Sequence, residues 1–157
     1  MSTINYSKLS EPSFKALMAL EMTLKESPVE KTILELVKIR ASQINGCMLC
    51  IDMHIKEARL HGERELRVHH LVAWQESPLF TEREKAALRW AELVTHISKG
   101  VSEDDLKKVR EHFSEKEVSD LTFAVSIINV WNRFGVAFHG VPGSWDKVLG
   151  LDKAGLI

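Results

Sequence analysis

Cys47 and Cys50 are the only cysteines in the chain, and His54 follows four residues after the second. Two thiols separated by two residues can cycle between dithiol and disulfide, and a neighbouring imidazole can carry the protons that such a cycle moves. Asn45-Gly46 tolerates a left-handed backbone and should interrupt one helix, so that the next begins at or beside Cys47. The unpaired amides of a helix N-terminus favour negative charge, which lowers the pKa of a thiol placed there. This argument makes Cys47 the more acidic of the pair. At about 100° per residue, Cys47, Cys50 and His54 share an arc of roughly 60°.

Ile51, Ile55, Ala58 and Met48 occupy the neighbouring arc, which puts the reactive face at the edge of the core, open to a molecule as small as a peroxide. Two other readings of the motif stay open. The cysteines could be inert core residues, or Cys47, Cys50 and His54 could supply three zinc ligands, although no second Cys-x-x-Cys completes a structural site. His61, one turn beyond on the same side, could extend a relay, serve as a ligand or face solvent; solvent is the expected place.

Glu35 lies among Ile33, Leu34, Leu36, Val37 and Ile39. Burial there would raise its pKa toward that of a general base. The bland alternative pairs it with Lys31 or Lys38 on the helix surface. Arg133, on an otherwise apolar segment, is expected to be buried with a carboxylate or backbone partner. Trp131, Phe134 and Phe138 recur at helical spacing as core or subunit-interface residues, with a peroxide pocket as the alternative. His69, His70, His96, His112 and His139 have no spaced partners.

The elements that must position these groups read as helices. Ser27-Pro28-Val29-Glu30, Thr81-Glu82-Arg83-Glu84 and Ser114-Glu115-Lys116-Glu117 each place a capping hydroxyl three residues before a glutamate. They predict helices over about 28–44, 81–98 and 114–138. Further helices are predicted over 13–25, 47–60, 63–75 and 102–112, with Gly62 and Gly100 as C-terminal stops. No strand-like clusters stand out. The fold class is therefore all-α: a single-domain helical bundle of about seven helices spanning 1–157.

Twenty-one basic and 22 acidic residues nearly cancel without forming blocks, so neither nucleic acid nor an anionic membrane is an expected partner. The opening Met1-Ser2-Thr3-Ile4-Asn5 lacks the charge and apolar run of an export signal, and 121–132, the longest uncharged stretch, is too short to span a membrane. A cytoplasmic location is expected. No cofactor and no metal are expected.

Read together, the segment from Glu35 through Arg40, Ser42, Asn45-Gly46 and Cys47-Met48-Leu49-Cys50 to His54 resembles the signature of the alkyl hydroperoxidase D-like branch of the carboxymuconolactone decarboxylase family. The likeness extends weakly into Trp74-Gln75-Glu76-Ser77-Pro78 and Asn132-Arg133-Phe134-Gly135. The resemblance implies the alkyl hydroperoxidase D-like helical fold and homo-oligomers, often trimers or hexamers. It also implies antioxidant reduction of an organic hydroperoxide or hydrogen peroxide, coupled to an external dithiol reductant protein. Carried over residue by residue, Cys50 would be the peroxidatic thiol, Cys47 the more exposed resolving thiol that reaches the external reductant, and Glu35 and His54 the proton relay. Some relatives carry a histidine immediately before the second cysteine, where this chain has Leu49, and a shorter relay implies weaker peroxidase activity. The alternatives are lactone decarboxylation, as in the other branch of the family, which does not need a cysteine pair, and a non-enzymatic redox sensor.

Overall fold

In the computed structural model residues 4–156 are described, and among them every regular element is a helix. The reading of Met1-Ser2-Thr3 as free of an export signal falls outside these residues. The α-helices are α1 (Tyr6–Leu9), α2 (Glu11–Thr23), α3 (Lys31–Asn45), α4 (Met48–Leu60), α5 (Glu65–His70), α6 (Glu82–Thr95), α7 (Glu103–Arg110), α8 (Glu115–Ala137) and α9 (Asp146–Leu149). Short 3-10 turns follow α2, α5, α6 and α9. No described helix is long and apolar enough to cross a membrane.

Two of the three expected capping boxes form. Thr81 with Glu84 opens α6, Ser114 with Glu117 opens α8, and Ser102 with Asp105 does the same for α7. The third, at Ser27, does not. Ser27 Oγ donates to Asp120 Oδ2 at 2.7 Å across to α8, Glu30 is held by Arg83 at 2.9 Å, and the helix starts at Lys31 without a side-chain cap. The box fails at its hydroxyl, which is turned to Asp120 and accepts the Val29 N–H, whereas Thr81 and Ser114 keep theirs for the amide three residues on. The predicted helix over 63–75 is likewise shorter, giving way to a 3-10 turn at Leu71–Ala73.

α3, α6 and α8 enclose the larger core, in which Val37, Ala91, Leu121, Ala124 and Val125 have no measurable exposure. A second cluster gathers Leu36, Ile39, Leu71, Trp74, Phe80 and Leu88. Each fully buried aliphatic side chain contributes roughly 1.5–3 kcal/mol, which is what holds α3 rigidly between its neighbours. Gly46 ends α3 in the left-handed region at φ 66°, and the chain turns straight into α4. Because Asn45 adjoins the start of α4 while Glu35 meets His61 at its end, α3 and α4 run antiparallel.

The C-terminal segment is fastened to α4. Lys56, only 5% exposed, reaches Asp52 at 2.8 Å and Asp146 at 2.7 Å, and Asp52 Oδ2 accepts the Gly143 N–H at 2.9 Å. Substituting Lys56→Met should lower stability by about 2–3 kcal/mol, below the full cost of an orphaned buried charge because both carboxylates keep some solvent. The midpoint of urea unfolding measures it, and an unchanged midpoint would mean the clamp contributes nothing.

Candidate redox site at the start of α4

Cys47 is the N-cap of α4, in extended backbone at φ −85° and ψ 93°, and its Sγ accepts the Cys50 N–H at 3.4 Å. Helical spacing then brings the two cysteines to a Cα–Cα distance of 5.4 Å, and they are joined as a disulfide. Both are buried: Cys47 is 1% exposed and Cys50 5%. The expectation that Cys47 is the more exposed thiol is therefore corrected. Residues 41, 49 and 128 pack around the pair, with Met53, Trp131 and Trp145 closing over it from the side. Met48, expected on the apolar stripe, points outward at 62% exposure, since a residue about 100° round from Cys47 faces away from α8.

What holds the α3–α4 turn in register is a set of amides. Asn45 stays helical, and its Nδ2 donates to Asn129 Oδ1 at 3.0 Å and to Asn132 Oδ1 at 2.9 Å. Asn132, 1% exposed, donates in turn to Ser42 Oγ at 3.0 Å. Asn45 therefore serves as a bolt to α8, and the left-handed turn is made by Gly46 alone. Arg133 next to it is exposed and bonds the Asn129 carbonyl at 2.6 Å, so no buried charge exists there.

His54 is buried one turn after Cys50, and its Nδ1 pairs with Glu57 Oε2 at 3.0 Å. The His54 hydrogen bond is the largest influence on Glu57 and lowers its pKa to about 2 against the opposing effect of burial. Glu57 was not singled out from the sequence. Its spacing could have revealed it, because Cys47, Cys50, His54, Glu57 and His61 fall within an arc of about 80° on α4. They form one polar stripe from the disulfide to the far end of the helix.

Glu35 reaches that stripe from α3. It is 6% exposed, its Oε1 is hydrogen-bonded to His61 Nδ1, and its Oε2 is buried without a hydrogen-bond partner. Neither Lys31 nor Lys38 pairs with it; Lys38 is bound to Glu21. Burial raises the Glu35 pKa, and His61 pulls the other way. The ionised carboxylate is thus disfavoured in the fold. Its contribution to stability is fully present below the unfolded-state pKa and is lost as pH rises through the folded one. His61, expected in solvent, has a half-exposed side chain that is nonetheless tied to Glu35. Among the described residues no three His, Cys, Asp or Glu side chains are grouped to hold a metal ion.

Trp131, Phe134 and Phe138 form an aromatic cluster with Tyr6 and Phe14, Tyr6 stacking on Phe134 at 4.7 Å and on Phe138 at 5.4 Å between centroids. They are only partly buried, and Trp131 and Phe134 line an apolar cavity of about 220 Å³ beneath α1 and α2.

The family model for carboxymuconolactone decarboxylases matches residues 11–93, a span that contains Glu35, both cysteines, His54 and His61. The chain belongs to the carboxymuconolactone decarboxylase family. Its likeness to solved structures places it among the alkyl hydroperoxidase D-like members. A structure from Agrobacterium tumefaciens, a protein of unknown function described as a candidate antioxidant defence protein AhpD, superposes with a TM-score of 0.86 at 43% identity, covering 90% of this chain and 98% of that one. An uncharacterized peroxidase-related protein from Silicibacter sp. TM1040 gives a TM-score of 0.76 at 25% identity over 83% of this chain and 70% of its own. The uncharacterized YdfG of Bacillus subtilis is 42% identical over 135 residues, 85% of this chain and 92% of the relative.

Proposed function

We propose that the chain is a thiol-dependent hydroperoxide reductase, acting on an organic hydroperoxide or hydrogen peroxide and recharged by an external dithiol protein. The observation that carries this reading is the Cys47–Cys50 disulfide capping α4 one turn before a buried histidine that has its own carboxylate. In the reduced protein the Cys50 thiolate attacks the terminal peroxide oxygen. An S–O bond forms, the O–O bond breaks, and the leaving alkoxide takes a proton through His54. Glu57 fixes the orientation of His54 and the tautomer it presents. The Cys47 thiolate then attacks the Cys50 sulfenic acid, forming the disulfide and releasing water. The external dithiol attacks the Cys50 sulfur, because Cys47 leaves as a thiolate stabilised by the Cys50 N–H, and a second thiol completes the reduction. The aromatic surface of α1, α2 and α8 fits a homo-oligomer, trimer or hexamer, in which these rings meet a second copy.

The test is consumption of cumene hydroperoxide or hydrogen peroxide with dithiothreitol as reductant. Turnover that requires the reductant supports the reading; no turnover, with both thiols reduced and accessible, removes it. Within that assay Glu35 predicts a pH dependence. If its carboxylate is the working base, activity should rise with pH through a midpoint above the ordinary carboxylate range, since burial raises the Glu35 pKa. Glu35→Gln should flatten that limb and lower the plateau roughly 10²-fold, the lower end of what a positioned base contributes. An identical pH profile in the variant would take Glu35 out of the relay.

A further inference from the structure

We propose that His61 is the port through which the buried Glu35 carboxyl exchanges protons with solvent, acting on the reaction through Glu35. This inference rests on the thiol-redox reading of the α4 stripe.

The geometry sets one way in. Glu35 is enclosed by α3 and α4, with residues 33, 34, 36 and 37 of its own helix buried beside it. One of its oxygens is tied to His61 Nδ1 and the other has no hydrogen-bond partner. His61 is the C-cap residue of α4, its backbone N–H bonded to the Glu57 carbonyl at 3.1 Å, and its side chain is 48% exposed. One imidazole nitrogen therefore faces the buried carboxyl while the ring meets water. An imidazole can accept a proton at one nitrogen and release another from the second, so a proton taken up at Nε2 leaves from Nδ1 to Glu35 Oε1 with the ring's charge unchanged, and the exposed Nε2–H then exchanges with water as the tautomer resets.

Among the described residues, the other charged groups around Glu35 are not hydrogen-bonded to it. His54 and Glu57 of α4 act on it electrostatically but are bonded to each other, and His54 is buried. Lys38 of α3 is engaged by Glu21 of α2, and Arg40 by Glu92 of α6 at 2.7 Å. Along α4, His61 lies eleven residues from Cys50, about 16 Å of helix rise. His54 and Glu57 occupy the interval and act on Glu35 electrostatically, so the charge that His61 sets on Glu35 is felt toward the sulfur end.

Carbon-13 titration of the glutamate carboxyls, assigned with Glu35→Gln, reads the coupling without any peroxide. Reduction of the Cys47–Cys50 disulfide by dithiothreitol, in which the cysteine sulfurs gain the two protons that the reagent's thiols lose, reads the transfer. In His61→Ala the Glu35 midpoint should move upward, because the opposing influence of the imidazole is gone. Disulfide reduction should slow by about tenfold and be restored by added imidazole. His69→Ala, exposed on α5, serves as control and should change neither. An unmoved Glu35 midpoint overturns the proposal, as does a moved midpoint with unchanged reduction rate or with slowing that imidazole does not rescue. If wild type fails to consume peroxide while His61→Ala shows both effects, the port stands and the peroxidase reading falls.

Discussion

Cys50→Ser should abolish peroxide turnover, by on the order of 10³-fold or more, and should leave no sulfenic acid detectable after a single addition of peroxide. Cys47→Ser should abolish turnover equally but still consume one equivalent and accumulate a sulfenic acid on Cys50. The asymmetry follows from position. Cys50 has His54 one turn below it to protonate the leaving oxygen, whereas Cys47 sits at the cap, where its sulfur accepts the Cys50 N–H. In the reduced protein the same N–H would favour a Cys47 thiolate, which suits that sulfur to resolve and to leave. A more acidic thiol is also the weaker intrinsic nucleophile, so the helix N-terminus by itself does not make Cys47 the attacking sulfur. Dimedone labelling followed by mass spectrometry separates the cases. Label on Cys47 in Cys50→Ser, with none on Cys50 in Cys47→Ser, would exchange the two roles.

Most of the candidate site was legible because it lies on one helix. Spacing alone puts Cys47, Cys50 and His54 on a common face, and the same arithmetic reaches Glu57 and His61, whose types look like ordinary surface residues until the partner helix is known. That Glu35 meets His61 was not legible. It requires α3 and α4 to run antiparallel with a two-residue turn, Gly46 and Cys47, so that residues 26 apart in sequence come opposite each other. Capping boxes were readable at Thr81 and Ser114, whose hydroxyls stay with the local amides although Arg67 and Arg83 bind the glutamates, and misleading at Ser27, where Asp120 takes the hydroxyl. α1 and α9 are too short to form unaided. Tyr6 stacks on Phe134 and Phe138 to hold the first, and Asp146 on Lys56 holds the second, so neither leaves a periodic signal.

Gly135 shows the same limit most sharply, and it yields the second large effect. It lies within α8, where glycine costs roughly 1 kcal/mol relative to alanine, so local propensity asks for Gly135→Ala. Across space the answer reverses. A β-carbon at Gly135 would stand 2.5 Å from Cys47 Sγ and 3.5 Å from Cys50 Sγ, so either α8 or the disulfide must shift by about 1 Å. Neither has room: the pair is packed against residues 41, 49 and 128, and the amides of Asn45 and Asn132 fix α8 to α3 one turn before Gly135. Overpacking of this kind costs about 1–3 kcal/mol, which equals or exceeds the propensity gain, so Gly135→Ala should fold with a net loss of up to about 2 kcal/mol. Displacing a reacting sulfur by that distance should cost about 10²-fold in turnover. Val136→Ala, next in sequence and exposed, should change neither stability nor rate. Gly135→Ala with native melting temperature and native turnover would show that the close approach of α8 is not what sets the sulfur positions. The expected pattern, a folded protein with crippled turnover, would mean that α8 is the anvil against which the Cys47–Cys50 pair is held, and that this glycine belongs to the site although it carries no chemistry of its own.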